Sequence, residues 1–152
     1  LIAKMKGTHH RSKLIDKVGF GTYNSKFEGR TAFDWLSRDN EEVDKYIADD
    51  LCGYLFTAYG YRDLFSLLSY VSSAEWFASL PKDLPVLLIA GSMDPVGEYS
   101  KGVEKVYSSI CKAGKTNAQR IFYPDARHEI LNEKACFDNV CKDVIGWAEE
   151  IL

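Results

Sequence analysis

Apolar positions follow two different patterns on either side of Pro85. Beyond it, the apolar runs 86–90 and 119–123 predict β-strands, and amphipathic stretches over about 100–113 and 133–151 predict helices. This order of strand, helix, strand and helix is typical of parallel strands joined by a right-handed crossover. The second half of the sequence therefore predicts an α/β fold.

The first half of the chain has a helical pattern with aromatic interruptions. One helix is predicted between Asp39, placed as an N-cap with Glu42 as its capping-box partner, and Gly53. A second helix, over about 61–71, has so broad an apolar face that another element must cover it. The segment 18–36 is aromatic without a period, and we expect a loop with one short helix there. Packed rings are its commoner role, although such segments often line a ligand cleft.

The two patterns meet at residues 81–85, which divide the chain into a helical region of about 1–80 and a strand–helix region of about 85–152. Asn132 is the predicted N-cap of the last helix, whose apolar stripe should pack on the sheet. Two parallel strands are too few for a stable sheet that is covered on both faces. We therefore expect them to extend a sheet that begins elsewhere.

Composition narrows the class of protein and the class of partner. The 152 residues are 46% hydrophobic and 27% charged, with a formal net charge of −3, as in a globular domain. This mild negative charge argues against a nucleic-acid partner, which requires a concentrated basic surface. Basic residues are crowded within residues 1–17, and we interpret them as a solvated face, with transient contact with a membrane surface as the alternative. No apolar run reaches the roughly 20 residues of a membrane span.

The start of the chain and its cysteines bear on its origin and compartment. The chain begins at Leu1 without a signal-peptide pattern, and we expect that it starts inside a longer polypeptide. The four cysteines show neither C-x-x-C nor zinc spacing, although Cys111 and Cys141 fall on predicted apolar stripes. We expect reduced thiols, a cytoplasmic location and no metal or other cofactor. The adjacent His9 and His10 lack an acidic ligand at suitable spacing and do not change this expectation.

Two residues with complementary chemistry follow the two predicted strands. Asp94 comes just past strand 86–90, and His128 comes just past strand 119–123. The carboxyl ends of parallel strands meet at one edge of a sheet, so these side chains should lie close together. A carboxylate beside a histidine fixes the imidazole tautomer and stabilises the imidazolium that forms when the histidine takes a nucleophile's proton. Each residue alone is compatible with an ordinary loop role, and it is their matching positions that favour catalysis.

The motifs around both residues resemble a known family. Residues 85–97, which contain Gly-Ser-Met-Asp-Pro, and residues 126–133, which contain Ala-Arg-His-Glu, are similar to the end of serine hydrolases of the monoacylglycerol lipase and lysophospholipase group. That group is also described as serine aminopeptidase S33 or hydrolase-4. Residues 20–24, 33–39 and 52–54 look like the cap segment of bacterial members. The resemblance implies the C-terminal part of an α/β-hydrolase fold: a helical cap and the last two βα units of a parallel sheet.

The resemblance also implies roles for individual residues. Asp94 would be the acid and His128 the general base of a Ser-Asp-His triad, and Trp35 and Val96 would contact the substrate. The nucleophile of such enzymes sits in Gly-x-Ser-x-Gly, whereas no two glycines of this chain are four residues apart. Ser92 lacks those glycines and lies on the acid's loop. We therefore expect a fragment that is inactive alone, whose partner is the missing N-terminal half or a second chain that supplies it, and which is prone to self-association.

The expected reaction of the full-length enzyme is hydrolysis of a carboxylic ester through an acyl-serine intermediate, on a monoacylglycerol- or lysophospholipid-like substrate. The apolar helices of the first half favour an acyl-ester small molecule over a peptide. Two alternatives stay open. One is an S33-type aminopeptidase or another amide hydrolase. The other, outside this class, is a non-enzymatic binding module or the subunit of a split enzyme.

Overall fold

Helices form the first half of the molecule, and a strand–helix–strand–helix unit forms the second, in a computed structural model that describes residues 2–152. The first half contains α1 (Ile2–Lys6), α2 (Lys13–Phe20), α3 (Asn40–Ala48), α4 (Ala58–Val71) and α5 (Ala74–Ser79). The second half contains β1 (Val86–Gly91), α6 (Lys101–Lys112), β2 (Ala118–Tyr123) and α7 (Phe137–Ile151). Short 3₁₀ helices occupy Tyr23–Lys26 and Ile130–Asn132. The α/β pattern is confirmed, and the domain boundary at 81–85 stays a prediction.

The two strands are parallel, and α6 crosses between them. Val86 lies opposite Ala118 at one end of the register, and Gly91 lies opposite Tyr123 at the other. Because the strands are parallel, both carboxyl ends lie at the same edge of the sheet. The loops that follow them are therefore neighbours. We name residues 92–100 the acid loop and residues 124–129 the histidine loop.

The apolar core of the second half lies between β2 and α7. Its buried members, and the partly buried residues packed against them, are Tyr123, Ala126, Ile130, Cys136 and Val140, with Ile89, Ile121 and Val144. Val140 and Val144 are one helical turn apart, so α7 presents one apolar stripe to the strand. Ala126, which is fully buried, belongs both to this core and to the histidine loop. Core packing therefore fixes the base of that loop.

The last helix begins later than its sequence predicts. Asn132 is not its N-cap, because it belongs to a 3₁₀ helix and its side-chain amide donates to Glu129 Oε2 at 2.9 Å. The first residue of α7 is Phe137, four residues beyond Glu133. The carboxylate of Glu133 is fully buried and bonded to other parts of the chain. These tertiary bonds hold residues 130–136 away from a regular helical path.

The capping box predicted for α3 is also wrong. Asp39 precedes the helix without a side-chain cap bond, because its Oδ2 accepts from the backbone amide of Lys134 at 2.6 Å. Glu42 pairs with Lys45 at 2.7 Å instead of reaching back to the helix start. The helix ends at Ala48 rather than at Gly53. A long-range bond has replaced the local one at this helix start.

Two smaller differences concern the first half and the cysteines. The segment expected to hold one short helix contains the end of α2 and a 3₁₀ helix. α2 begins after Ser12, whose hydroxyl accepts from Ile15 N at 3.3 Å. Cys111, expected on an apolar stripe, is exposed, whereas Cys136 is buried. No helix within residues 2–152 is long and apolar enough to cross a membrane.

Candidate active site

Asp94 and His128 meet at the carboxyl edge of the sheet. His128 Nδ1 lies 3.1 Å from Asp94 Oδ2. The carboxylate is buried, whereas the histidine side chain is 38% exposed. Within residues 2–152 the bond to Asp94 is the only side-chain hydrogen bond of the imidazole, so Nε2 has no hydrogen-bond partner there. The expected proximity of the two side chains is confirmed, and their catalytic roles stay predictions.

The acid loop holds the carboxylate by its own backbone. Asp94 Oδ1 accepts from the backbone amide of Val96 at 2.8 Å, which leaves Oδ2 for the histidine. The carbonyl of Asp94 accepts from Tyr99 N at 2.8 Å. Val96 thus contributes its amide to the site, and the residue is 44% exposed. A contact of that side chain with substrate stays a prediction.

The acid loop contains an unusual run of left-handed backbone. Glu98, Tyr99 and Ser100 have φ values of 51°, 56° and 74°. Each such residue costs about 1–3 kcal/mol and persists only where its surroundings determine it. Here the Tyr99 amide bonds the Asp94 carbonyl, and Lys26 Nζ lies 3.6 Å from the centre of the Tyr99 ring. The conformation of the acid loop is therefore held both from within and from the first half of the chain.

Gly91 allows the histidine loop to cross the end of β1. A Cβ atom added there would lie 2.2 Å from the carbonyl oxygens of both Ala126 and Arg127. No side chain fits such a space, so glycine is required for close approach rather than for a special dihedral angle. The backbone amide of Met93 donates to Ala126 O at 2.9 Å across the same junction. This contact brings the base of the acid loop next to that of the histidine loop.

The segment 34–37 holds the other side of the histidine loop. The amide of His128 donates to Trp35 O at 3.4 Å, and the amide of Glu129 donates to the following carbonyl at 2.8 Å. The guanidinium of Arg127 donates to two more carbonyls of this segment, at 2.5 and 3.1 Å. The histidine loop therefore depends on residues about 90 positions earlier in the chain.

Glu133 connects these parts, and sequence reasoning missed it. Its side chain is 0% exposed and accepts hydrogen bonds from Arg38 N at 3.0 Å, Arg38 Nε at 2.6 Å and Arg127 N at 2.9 Å. Burial alone would lower the pKa of Arg38, but the hydrogen bond and charge of Glu133 outweigh it, and that pKa is raised. The signal in the sequence is a second acid five residues after the histidine, which periodicity places in a helix.

Trp35 lies between the histidine and an aromatic cleft. Its ring centre is 5.3 Å from that of His128 and 5.1 Å from that of Tyr23. Trp35 also lines a cavity of about 520 Å³ in the first half of the chain. Other aromatic residues that line this cavity are Phe20, Phe33, Tyr46, Tyr54, Phe56 and Tyr61. A contact between Trp35 and substrate stays a prediction.

Electrostatics favour a charged imidazolium beside the acid. The hydrogen bond to Asp94 raises the pKa of His128 above its usual value, against burial, and the charges of Asp94 and Glu129 raise it further. Burial and the charge of Asp94 raise the pKa of Tyr23. This arrangement suits a general base, because the charge that the imidazole gains on taking a proton is stabilised.

We expect the stability contributed by His128 to depend on pH. A group with a raised pKa binds more protons in the folded state, so its contribution is fully present below the ordinary value of 6.5. The free energy of unfolding should then fall as pH rises through the folded-state pKa of His128. Urea unfolding at a series of pH values measures this slope. Asp94→Asn should flatten it, and an unchanged slope in that variant would contradict the assignment.

Ser92 has a structural task at the junction of the two loops. Its Oγ accepts from Asp125 N at 2.9 Å, which ties the acid loop to the histidine loop. Asp125 itself has a positive φ of 59°, so this bond supports a strained turn. Within the described part of the chain, no group of three or more histidine, cysteine and acidic side chains is placed to hold a metal ion. These residues thus show a histidine oriented by a carboxylate, and the absence of a nucleophile from the chain stays a prediction.

The fold and this pair of residues define an α/β-hydrolase architecture. The chain belongs to the hydrolase-4 family, described as serine aminopeptidase, S33, which matches residues 2–135. This confirms the family that the motifs at both loops resemble. No curated protein matches the chain.

Solved structures share the fold over part of their length. A highly thermostable carboxyl esterase from Bacillus coagulans, in complex with glycerol, has a TM-score of 0.90 and 23% identity over 99% of this chain and 49% of its own. A lipase in its open form has a TM-score of 0.85 and 22% identity, over 98% of this chain and 49% of its own. A monoacylglycerol lipase from Paleococcus ferrophilus has a TM-score of 0.62 and 19% identity, over 75% of this chain and 41% of its own. At these identities the likeness shows the fold alone, and the chain spans about half of the first two structures.

Proposed function

We propose that these residues supply the acid and the base of a serine hydrolase that cleaves carboxylic esters. The observation that carries the proposal is the 3.1 Å contact between His128 Nδ1 and Asp94 Oδ2, with Nε2 unpaired on a partly exposed ring. In a triad the acid orients the imidazole through one nitrogen, and the other nitrogen serves the nucleophile. Membership of a serine hydrolase family supports the same reading.

The proposed reaction has two halves. His128 Nε2 takes the proton of a serine hydroxyl as that oxygen attacks the ester carbonyl, and Asp94 stabilises the imidazolium that forms. The imidazolium returns its proton to the leaving alcohol as the tetrahedral intermediate collapses to an acyl-serine. Water then attacks the acyl-serine while His128 takes its proton, and the imidazolium returns that proton to the serine oxygen as the carboxylic acid leaves. The serine and the oxyanion-hole amides are supplied from outside the 152 residues.

The proposed substrate is a monoacylglycerol- or lysophospholipid-like ester. The cleft beside Trp35 has a volume of about 520 Å³ and half of its lining residues are aromatic, which suits an acyl chain. The structures that share the fold include a carboxyl esterase and a monoacylglycerol lipase. Trp35 would then separate the acyl cleft from the reacting atoms at His128.

An aminopeptidase-like activity is the second candidate, and one residue favours it. Asp16 lies in the wall of the aromatic cleft, where its Oδ1 accepts from Tyr61 Oη at 2.8 Å. A carboxylate in such a cleft is a suitable partner for the α-ammonium group of a peptide or amino-acid amide. Hydrolysis of monoacyl esters is compared with that of aminoacyl anilides in an enzyme assembled from this chain and a nucleophile-bearing half, with and without Asp16→Asn. If the enzyme prefers esters to anilides and Asp16→Asn leaves this preference unchanged, the result supports the lipase-like proposal.

A nucleophile supplied from outside these residues implies that another part of the enzyme extends the sheet. Within residues 2–152, β1 pairs with β2 on one edge and has no strand on the other. An unpaired apolar strand edge is a template for another strand. We propose that this edge pairs with the sheet of the nucleophile-bearing half, and that two copies of the chain associate through it when that half is absent. The mass measured by light scattering, with and without the nucleophile-bearing half of a family member, tests both statements.

We expect the chain by itself not to hydrolyse nitrophenyl esters above background. It has no Gly-x-Ser-x-Gly elbow, and the oxyanion hole is the largest electrostatic contribution to acyl transfer in such enzymes. A chimera that places the front half of a family member before residue 1 should gain activity. The same chimera with its elbow serine changed to alanine is the control. Turnover by the chain alone, or no turnover by a folded chimera, would contradict the proposal.

A further inference from the structure

Glu133 is a buried charge outside the proposed acid–base pair. Its side chain has no exposed surface, and its carboxylate contacts the distant Arg38 and the backbone amide of the nearby Arg127. Burying a carboxylate is costly unless hydrogen bonds and opposite charge compensate it. Arg38 supplies the opposite charge and two donors, and Arg127 supplies a third donor. A group with such a complete set of partners fixes the positions of those partners.

We propose that Glu133 is a positioning residue for His128. Its Oε1 accepts from the amide of Arg127, which directly precedes His128, and from the amide of Arg38, which follows the segment that bonds the histidine loop. One oxygen atom thus joins the two pieces of backbone on which the histidine depends. The carboxylate keeps Nδ1 of His128 within hydrogen-bonding distance of Asp94.

The neighbouring bonds show why this atom matters. The direct backbone bond of His128, to Trp35 O, is 3.4 Å long, whereas the bond from Arg127 N to Glu133 is 2.9 Å. The shorter bond holds the residue next to the histidine more firmly than the histidine's own bond does. Loss of the bond from Arg127 N to Glu133 would let the imidazole of His128 move relative to Asp94. A misplacement of about 1 Å can cost about 10²-fold in rate.

The chemistry of this position favours a carboxylate over its amide. Oε2 accepts from Arg38 Nε at 2.6 Å, while Oε1 accepts from the two backbone amides. Glutamine has one oxygen and one NH₂ group, and it cannot accept on both sides. Glu133→Gln therefore either places its NH₂ group against Arg38 Nε or loses the hydrogen bonds from the backbone amides of Arg38 and Arg127. The variant keeps the shape of the side chain and removes one of its two acceptor oxygens.

Titration of His128 followed by NMR, on protein labelled with ¹³C-histidine, tests the proposal directly. We expect the pKa of His128 to fall in Glu133→Gln, because the bond to Asp94 that raises it lengthens. The charges that raise the pKa of this imidazole are those of Asp94 and Glu129, and both stay unchanged. Glu41→Gln is the matched control, since it removes the exposed ion pair with Lys134 that joins the same two regions. An unchanged titration in folded Glu133→Gln would overturn the proposal.

Arg38→Lys keeps the experiment decisive if Glu133→Gln does not fold. It keeps the positive charge and the backbone amide but removes the bond from Nε, so we expect a smaller fall of the same sign. No change in a folded Arg38→Lys variant would overturn the proposal in that case. In the ester-hydrolysing chimera, kcat should fall about 10- to 100-fold with KM nearly unchanged. This last readout rests on the proposed function, whereas the titration does not, so failure of one is distinguishable from failure of the other.

Discussion

Asp94→Asn should lower the rate of ester hydrolysis by about 10⁴-fold in an enzyme assembled from this chain and a nucleophile-bearing half. The amide keeps the shape of the carboxylate, and the Val96 amide can still bond its oxygen. What is lost is the negative charge that faces His128 Nδ1, so the imidazolium is no longer stabilised and the tautomer is no longer fixed. His128→Ala should be at least as damaging, because both proton transfers pass through this ring. Steady-state kinetics on a nitrophenyl ester measure both effects.

Glu129→Gln is the matched control for the acid. Glu129 is adjacent to His128 and its charge also acts on the imidazole, but its Oε2 accepts from Asn132 and not from the ring. We expect the rate of this variant to stay within about tenfold of the wild type. If a folded Glu129→Gln variant were as slow as Asp94→Asn, the acid would have been assigned to the wrong residue.

Gly91→Ala should cost both stability and activity. The new Cβ would lie 2.2 Å from two carbonyl oxygens of the histidine loop, and these belong to backbone rather than to flexible side chains. Overpacking of this kind costs about 1–3 kcal/mol, and more where the neighbours are rigid. Each kcal/mol lowers the Tm of a chain of this size by about 2–4 °C. Thermal unfolding measures the loss of stability. The displaced histidine should also lower the kcat of the enzyme assembled with a nucleophile-bearing half.

Gly146→Ala is the control for this substitution. Gly146 lies within α7, and a Cβ there would meet nothing within 4 Å. Alanine in a helix interior should stabilise by up to about 1 kcal/mol relative to glycine. A Gly91→Ala variant as stable and active as the Gly146→Ala variant would show that the histidine loop does not depend on close approach to β1.

The fold of the second half could be predicted from the sequence because its signals are local. The apolar pattern of a strand differs from that of a helix, and residues 85–152 show the strand, helix, strand and helix patterns in that order. The positions of Asp94 and His128 after successive strands then predicted their contact, since parallel strands end at one edge. The family's motifs agree with this reading. Here pattern, topology and chemistry point to the same pair of residues.

The support around the pair could not be predicted, because its bonds span long sequence separations. The sequence predicts Asp39 as a helix cap, yet it bonds Lys134. The sequence also places Glu133 in the last helix, yet it bonds Arg38. Local propensity does not contain such partners. Gly91 likewise has an ordinary dihedral angle, and only the crossing loop shows why it is glycine. The sequence predicts the reacting groups better than it predicts what holds them.

The central claim is that these residues contain an acid and a base but no nucleophile. Reaction with a fluorophosphonate probe, followed by peptide mass spectrometry, tests it most directly. We expect no label on any serine of the chain alone, and in the chimera a label on the elbow serine of the front half that is lost in His128→Ala. Label on a serine within the 152 residues, above all on Ser92, would contradict the account.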